Sequence, residues 1–154
     1  MTAAYELGII GAGEMGGNLA TGFVASGCLA AGKIIVSDLR DDLLEAHAQR
    51  GLATTHDNQQ LVEQSRTVLL AVKPQVLPQV AAGLRLQPGQ LVISIAAGVP
   101  LARLGELLGG ERPIIRVMPN ILAAVSQAAS AYAGNEFATT EHLDLTDRLL
   151  SCVG

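Results

Sequence analysis

The chain has 154 residues, 49% hydrophobic and 16% charged, which suits one domain with a sizeable core and excludes intrinsic disorder. Its formal net charge of −4, with no basic stripe, argues against a nucleic-acid partner, and no apolar run is long enough to cross a membrane. The N-terminus lacks a basic stretch leading into a long apolar run, so no signal peptide is expected; Cys28 and Cys152 lie far apart without metal-ligand spacing, so a reduced, cytoplasmic chain is expected.

Apolar runs alternate with amphipathic segments along the whole sequence. The pattern predicts strands over 5–10, 33–37, 52–54, 67–72, 90–95, 113–117 and 128–133. It predicts helices over 14–26, 41–50, 58–64, 75–83, 100–108 and 140–151. The runs Val68-Leu69-Leu70-Ala71-Val72 and Leu91-Val92-Ile93-Ser94-Ile95 are apolar on both faces, as in a buried parallel sheet. Asp41 is placed to cap the helix that starts at Asp42, with Gly51 at its far end. Pro74 blocks extension of the fourth strand, Pro88-Gly89 marks a turn, and Pro100 suits the first position of a helix. Aromatic residues are 3% of the chain, so the core must be built from aliphatic side chains.

The first strand runs into Gly11-Ala12-Gly13-Glu14-Met15-Gly16, a G-x-G-x-x-G turn that opens a helix. The first glycine permits the sharp turn, the second lets a pyrophosphate approach the backbone, and the third lets helix and strand pack closely. The helix N-terminus adds free N–H groups and a positive dipole end. With the strand–helix alternation, this turn predicts an α/β fold of Rossmann type: doubly wound, mainly parallel, with helices on both faces and right-handed crossovers.

Further along, Ile34-Ile35-Val36-Ser37-Asp38 ends in an acid about twenty residues beyond the glycine turn, where a carboxylate can accept from a ribose 2′-OH. Ser37 and Arg40 are near enough in sequence to receive a 2′-phosphate instead, so NAD and NADP both stay open. Ala71-Val72-Lys73-Pro74 follows the fourth strand and should line the same crevice. There Lys73 is either a cation near the phosphates or a solvated charge. Ala96-Ala97-Gly98 after the fifth strand offers small residues against which a flat ring can lie. Asn120, after the sixth, either bonds the nicotinamide side or satisfies local backbone. His47, His56 and His142 are scattered and read as surface or capping residues, His56 sitting beside Asn58.

Taken together, Ile10–Gly17, Leu70–Gln75, Val92–Val99 and Arg116–Asn120 resemble the pyrroline-5-carboxylate reductase family in order and spacing. The resemblance runs from Tyr5 to Gly154. It implies hydride transfer from NAD(P)H to the ring C=N of 1-pyrroline-5-carboxylate, giving L-proline. It assigns the pyrophosphate to Ile10, Gly11, Ala12, Gly13, Glu14 and Met15, and the adenosine end to Ser37, Asp38 and Asn58. The nicotinamide half falls to Ala71 through Pro74 and Ala96 through Gly98. No catalytic residue and no metal site is implied within these 154 residues, because the cofactor carries the chemistry.

The family continues into a helical domain that forms the homo-oligomer and supplies much of the substrate pocket; the expectation is that residues 1–154 are the NAD(P)-binding domain without it. Two departures stand out. Ile121-Leu122 replaces the family's usual Thr-Pro, with Ser126 and Ala128 at positions often glycine, and Glu14 replaces an amide beside the pyrophosphate turn. An inward-facing Glu14 would repel phosphate, whereas a solvent-facing one would matter little. The alternatives are the equivalent domain of another imine or hydroxyacid reductase, or a dinucleotide-binding module without catalysis. Leu145, Leu149 and Leu150 read as packing on the sheet, the other reading being a docking surface.

Overall fold

The computed structural model describes residues 3–119 and 130–153. Seven strands form one sheet: β1 (Tyr5–Ile10), β2 (Ile34–Ser37), β3 (Ala53–Thr55), β4 (Ser65–Leu70), β5 (Leu91–Ser94), β6 (Ile114–Pro119) and β7 (Ser130–Gly134). Between and after them lie α1 (Glu14–Ala25), α2 (Asp41–Gln49), α3 (Asn58–Gln64), α4 (Leu77–Ala82), α5 (Leu101–Leu108) and α6 (Thr140–Val153). The spatial order is β3-β2-β1-β4-β5-β6-β7. The first six strands are parallel, and β7 returns antiparallel along β6. This is the mainly parallel, doubly wound sheet that the alternation predicts.

Side-chain alternation along the strands sorts the core into two layers. Leu7, Ile9, Val36, Leu69 and Ile93 point to one face, where Leu19 and Phe23 of α1, Leu44 of α2 and Leu149 of α6 cover them. Ile10, Ile35, Val68, Leu70 and Val92 point to the other, against Leu61 and Val62 of α3, Leu77 of α4 and Leu104 of α5. Strands covered on both faces must be apolar throughout, which explains the unbroken hydrophobic runs. Leu149 is a core residue, and Leu145 and Leu150 pack against the same layer, so these leucines of α6 belong to the sheet's cover.

Several local expectations need correction. Asp41 does not cap α2: the helix begins at Asp41 and its cap position is Arg40, which makes no side-chain capping bond. The Asp41 carboxylate lies instead 2.6 Å from Nε2 of His56. Gly51 does close the helix end, with φ +91° and its N–H on the Ala48 carbonyl at 3.0 Å. Pro100 precedes α5 as its cap rather than opening it. The fourth strand starts at Ser65, not Thr67, because Tyr5 pairs with Ser65 in the ladder, and it ends at Leu70.

The histidines divide. His142 caps α6 reciprocally with Thr139, accepting from the Thr139 N–H at 3.0 Å while its own N–H donates to Oγ1 at 3.3 Å. His47 is not a surface residue: it is 5% exposed. The cysteines are corrected too. Cys28 and Cys152 form a disulfide, with Cα atoms 6.2 Å apart across 124 positions of sequence. Packing of α6 against α1 brings them together, so closely that a Cβ on Gly22 would come within 2.7 Å of the Val153 side chain.

Candidate dinucleotide-binding site

The strand order reverses between β1 and β4: from β1 the chain builds outward through β2 and β3, then returns to add β4 on the other side. A crevice opens outside the carboxyl ends of strands at such a point. The turn after β1 and the segment after β4 meet there, with Gly11 N–H donating to the Ser37 carbonyl at 2.9 Å and Ala71 N–H to the Ile10 carbonyl at 2.8 Å.

The glycines of the turn are demanded by different neighbours. Gly11 has φ +104°, and a Cβ on it would lie 2.9 Å from the Ala71 carbonyl oxygen. A Cβ on Gly16 would collide with the Gly11 carbonyl and come within 2.9 Å of the Ala71 side chain, so this glycine seats α1 on the sheet. Gly13 differs, for beyond its own chain neighbours nothing lies within 4 Å of where its Cβ would be. It occupies the cap position of α1 and provides no side-chain cap, so no capping side chain takes up the helix's first N–H groups. The residues present fit a pyrophosphate: an anion is admitted where a side chain would stand, against the positive end of a 12-residue helix.

A cavity of about 890 Å³ gathers many of the sequence-derived candidates. Ile10, Gly11, Gly13, Ser37, Asp38, Asn58, Ala71, Val72 and Lys73 all line it. Ala12 is buried, and its N–H donates to Oδ2 of Asp38 at 2.8 Å. Asp38 also accepts from the Arg40 N–H through Oδ1 at 3.0 Å, so the end of β2 is tied to the glycine turn by one carboxylate. Ser37 is fully buried and its hydroxyl lies 2.6 Å from Oδ1 of Asn58, to which it donates. Asp57 caps α3, accepting from the N–H groups of Gln59 and Gln60, and so fixes the helix on which Asn58 sits first.

The other candidates are placed differently. Glu14 is exposed in the first turn of α1, the solvent-facing arrangement that matters little to a phosphate, and Met15 packs against the core on the α1 face. Pro74 is half-buried after Lys73. Ala96 is buried beyond β5, while Ala97 and Gly98 are exposed, at the same end of the sheet but outside the residues that line the cavity. Asn120, Ile121, Leu122, Ser126 and Ala128 lie outside the described residues. Sequence reasoning missed the apolar flank of the cavity, formed by Leu39, Val76, Val80 and Leu84, with Leu39 88% exposed. A large apolar residue left in water directly after the acid of β2 is the signal that could have found it.

A family model described as NADP oxidoreductase coenzyme F420-dependent matches residues 6–98. Over 153 residues the chain is 42% identical to pyrroline-5-carboxylate reductase of Methanosarcina acetivorans, covering 97% of this chain and 56% of that protein. The chain belongs to the pyrroline-5-carboxylate reductase family. Solved structures agree with this membership. The pyrroline-5-carboxylate reductase of Coxiella burnetii superposes with a TM-score of 0.89 at 29% identity, over 98% of this chain and 57% of that one. The 1-pyrroline-5-carboxylate reductase of Streptococcus pyogenes gives 0.85 at 30% identity, over 97% and 56%. The chain spans about half the length of the relatives it matches. Its cofactor class is the nicotinamide dinucleotides, NADP or NAD.

Proposed function

We propose that the chain is the NAD(P)H-binding half of a pyrroline-5-carboxylate reductase, an enzyme that reduces 1-pyrroline-5-carboxylate to L-proline in proline biosynthesis. The observation that carries this reading is the open cradle at Gly13, facing the start of α1 at the sheet's reversal point. It stands in a chain similar along nearly its whole length to enzymes of that name. When bound, reduced nicotinamide supplies the hydride for the ring C=N carbon. The chain's own part is to hold and orient. The N–H groups opening α1 bind the pyrophosphate, Asp38 accepts from the ribose, and Ala71–Pro74 with Ala96–Gly98 line the nicotinamide half. Hydride transfer needs no protein nucleophile, and we assign no catalytic residue to the chain.

In this reading residues 1–154 form one dinucleotide-binding domain. The helical remainder of the family's length holds most of the substrate pocket and the homo-oligomer contacts. Among the described residues no helix is long and apolar enough to cross a membrane. A cytoplasmic setting belongs to the same reading; the reducing conditions there would work against the Cys28–Cys152 bridge.

The test is a fluorescence titration of the purified chain with NADH and NADPH, paired with a turnover assay on 1-pyrroline-5-carboxylate. Saturable dinucleotide binding with little or no turnover is expected. Binding of neither dinucleotide would overturn the site, and robust turnover by these 154 residues would overturn the assignment of the substrate machinery elsewhere.

A further inference from the structure

We propose that this chain selects NADH over NADPH, with Asp38 facing the adenosine ribose and Asp42 acting as a positioning residue that keeps Arg40 from a 2′-phosphate. The inference rests on the dinucleotide reading of the cavity and adds the choice between the two cofactors.

Two residues near the end of β2 had the chemistry to receive a 2′-phosphate, and each is committed elsewhere. The Ser37 hydroxyl is fully buried and spent on Asn58 at 2.6 Å. The Arg40 guanidinium is turned onto Asp42, with Nη2 2.6 Å from Oδ2 and Nε 3.2 Å from Oδ1. That pairing holds the Asp42 carboxyl below its ordinary range, chiefly through the hydrogen bond from Arg40. A third basic group on this side of the cavity, His56, lies 2.6 Å from the Asp41 carboxylate. Lys73, which also lines the cavity, comes from the segment after β4 rather than from the β2 side.

Asp38 cannot easily turn aside to admit an anion, because the Ala12 and Arg40 N–H groups hold its two oxygens. A carboxylate still has lone pairs for a ribose hydroxyl after accepting two such bonds. Toward a 2′-phosphate, which brings about two negative charges at pH 7, the same fixed carboxylate is repulsive. Asp38 and Asp57 line the cavity, and Asp41 and Asp42 open α2 directly after Arg40, so Arg40 is outnumbered.

The Arg40–Asp42 pair is exposed on both sides, at 65% and 66%, so its two side chains can be altered without disturbing the core. The experiment is a titration of the full chain with NADH and with NADPH, for wild type, Asp38→Ser and Asp42→Ala, at low and high salt. Wild type is expected to bind NADH about tenfold or more tighter than NADPH, narrowing as salt rises. Asp42→Ala should raise NADPH affinity about two- to fivefold, with a smaller change for NADH, by freeing the guanidinium. Asp38→Ser should move the ratio further toward NADPH.

Equal or tighter binding of NADPH by wild type overturns the inference and leaves the dinucleotide site standing. An unchanged ratio in Asp42→Ala removes Asp42 from it. Binding of neither dinucleotide by wild type removes the site reading and the inference with it.

Discussion

A Cβ at Gly13 would meet nothing within 4 Å beyond its own chain neighbours, whereas one at Gly16 would run into the Gly11 carbonyl. The two positions therefore separate function from stability. Gly13→Val is expected to leave thermal unfolding nearly unchanged while weakening dinucleotide binding at least about tenfold, or about 1.4 kcal/mol. Gly16→Ala is expected to lower stability by about 1–3 kcal/mol, since overpacking displaces backbone. Thermal melts and NADH titrations on the two variants check both; wild-type affinity in Gly13→Val would show that the pyrophosphate does not pass there. This turn was legible in the sequence because its constraints are local: three glycines at fixed spacing between a strand and a helix. Arg40 and Ser37 were legible only as candidates. What each bonds depends on Asp42 and on Asn58, the latter from an element that folds in beside it.

At the scale of elements, α2 buries a titratable ring. His47 is 5% exposed, lies near the backbone of Gly17 on α1, and has no hydrogen-bond partner for Nδ1 among the described residues. Burial, helped by the positive charge of Arg50, pushes its pKa below the ordinary 6.5. The native state therefore takes up this proton less readily than the unfolded chain. Above the unfolded value both states carry neutral His47 and it adds no pH dependence. As pH falls below 6.5 the unfolded chain protonates first and stability is lost, until the native ring also titrates. Wild type should lose melting temperature as pH falls below 6.5, and His47→Gln should lose less over the same fall. Parallel pH profiles would mean that another group carries the loss.

Element types followed from periodicity, because burial on both faces of a parallel strand leaves its mark in the sequence itself. Helix and strand ends were less legible. Asp41 has the chemistry of a cap, but His56 from the turn after β3 competes for its carboxylate, and α2 starts one residue early.

For the whole molecule, the Cys28–Cys152 bridge ties the C-terminal end of α6 to the turn after α1 across nearly the full chain. Closing so long a loop restricts the unfolded state, a contribution of roughly 2–4 kcal/mol. Cys152→Ser is expected to melt at a lower temperature than oxidised wild type and to be insensitive to reductant, whereas reductant should bring wild type down toward the variant. Hydrogen exchange should quicken first in α6. If oxidised wild type and Cys152→Ser melt together, the bridge contributes nothing to stability.

The sequence by itself determined the layered α/β architecture, the glycine turn, the class of cofactor and the family. Each of these is written in short-range patterns: residue spacing, apolar runs and punctuating prolines and glycines. Only the tertiary structure decided that the two cysteines meet, that His47 is buried, and that Ser37 and Arg40 are already engaged when a cofactor arrives. Those outcomes depend on which helix lies against which strand, and contacts between residues distant in sequence leave no periodic trace along the chain.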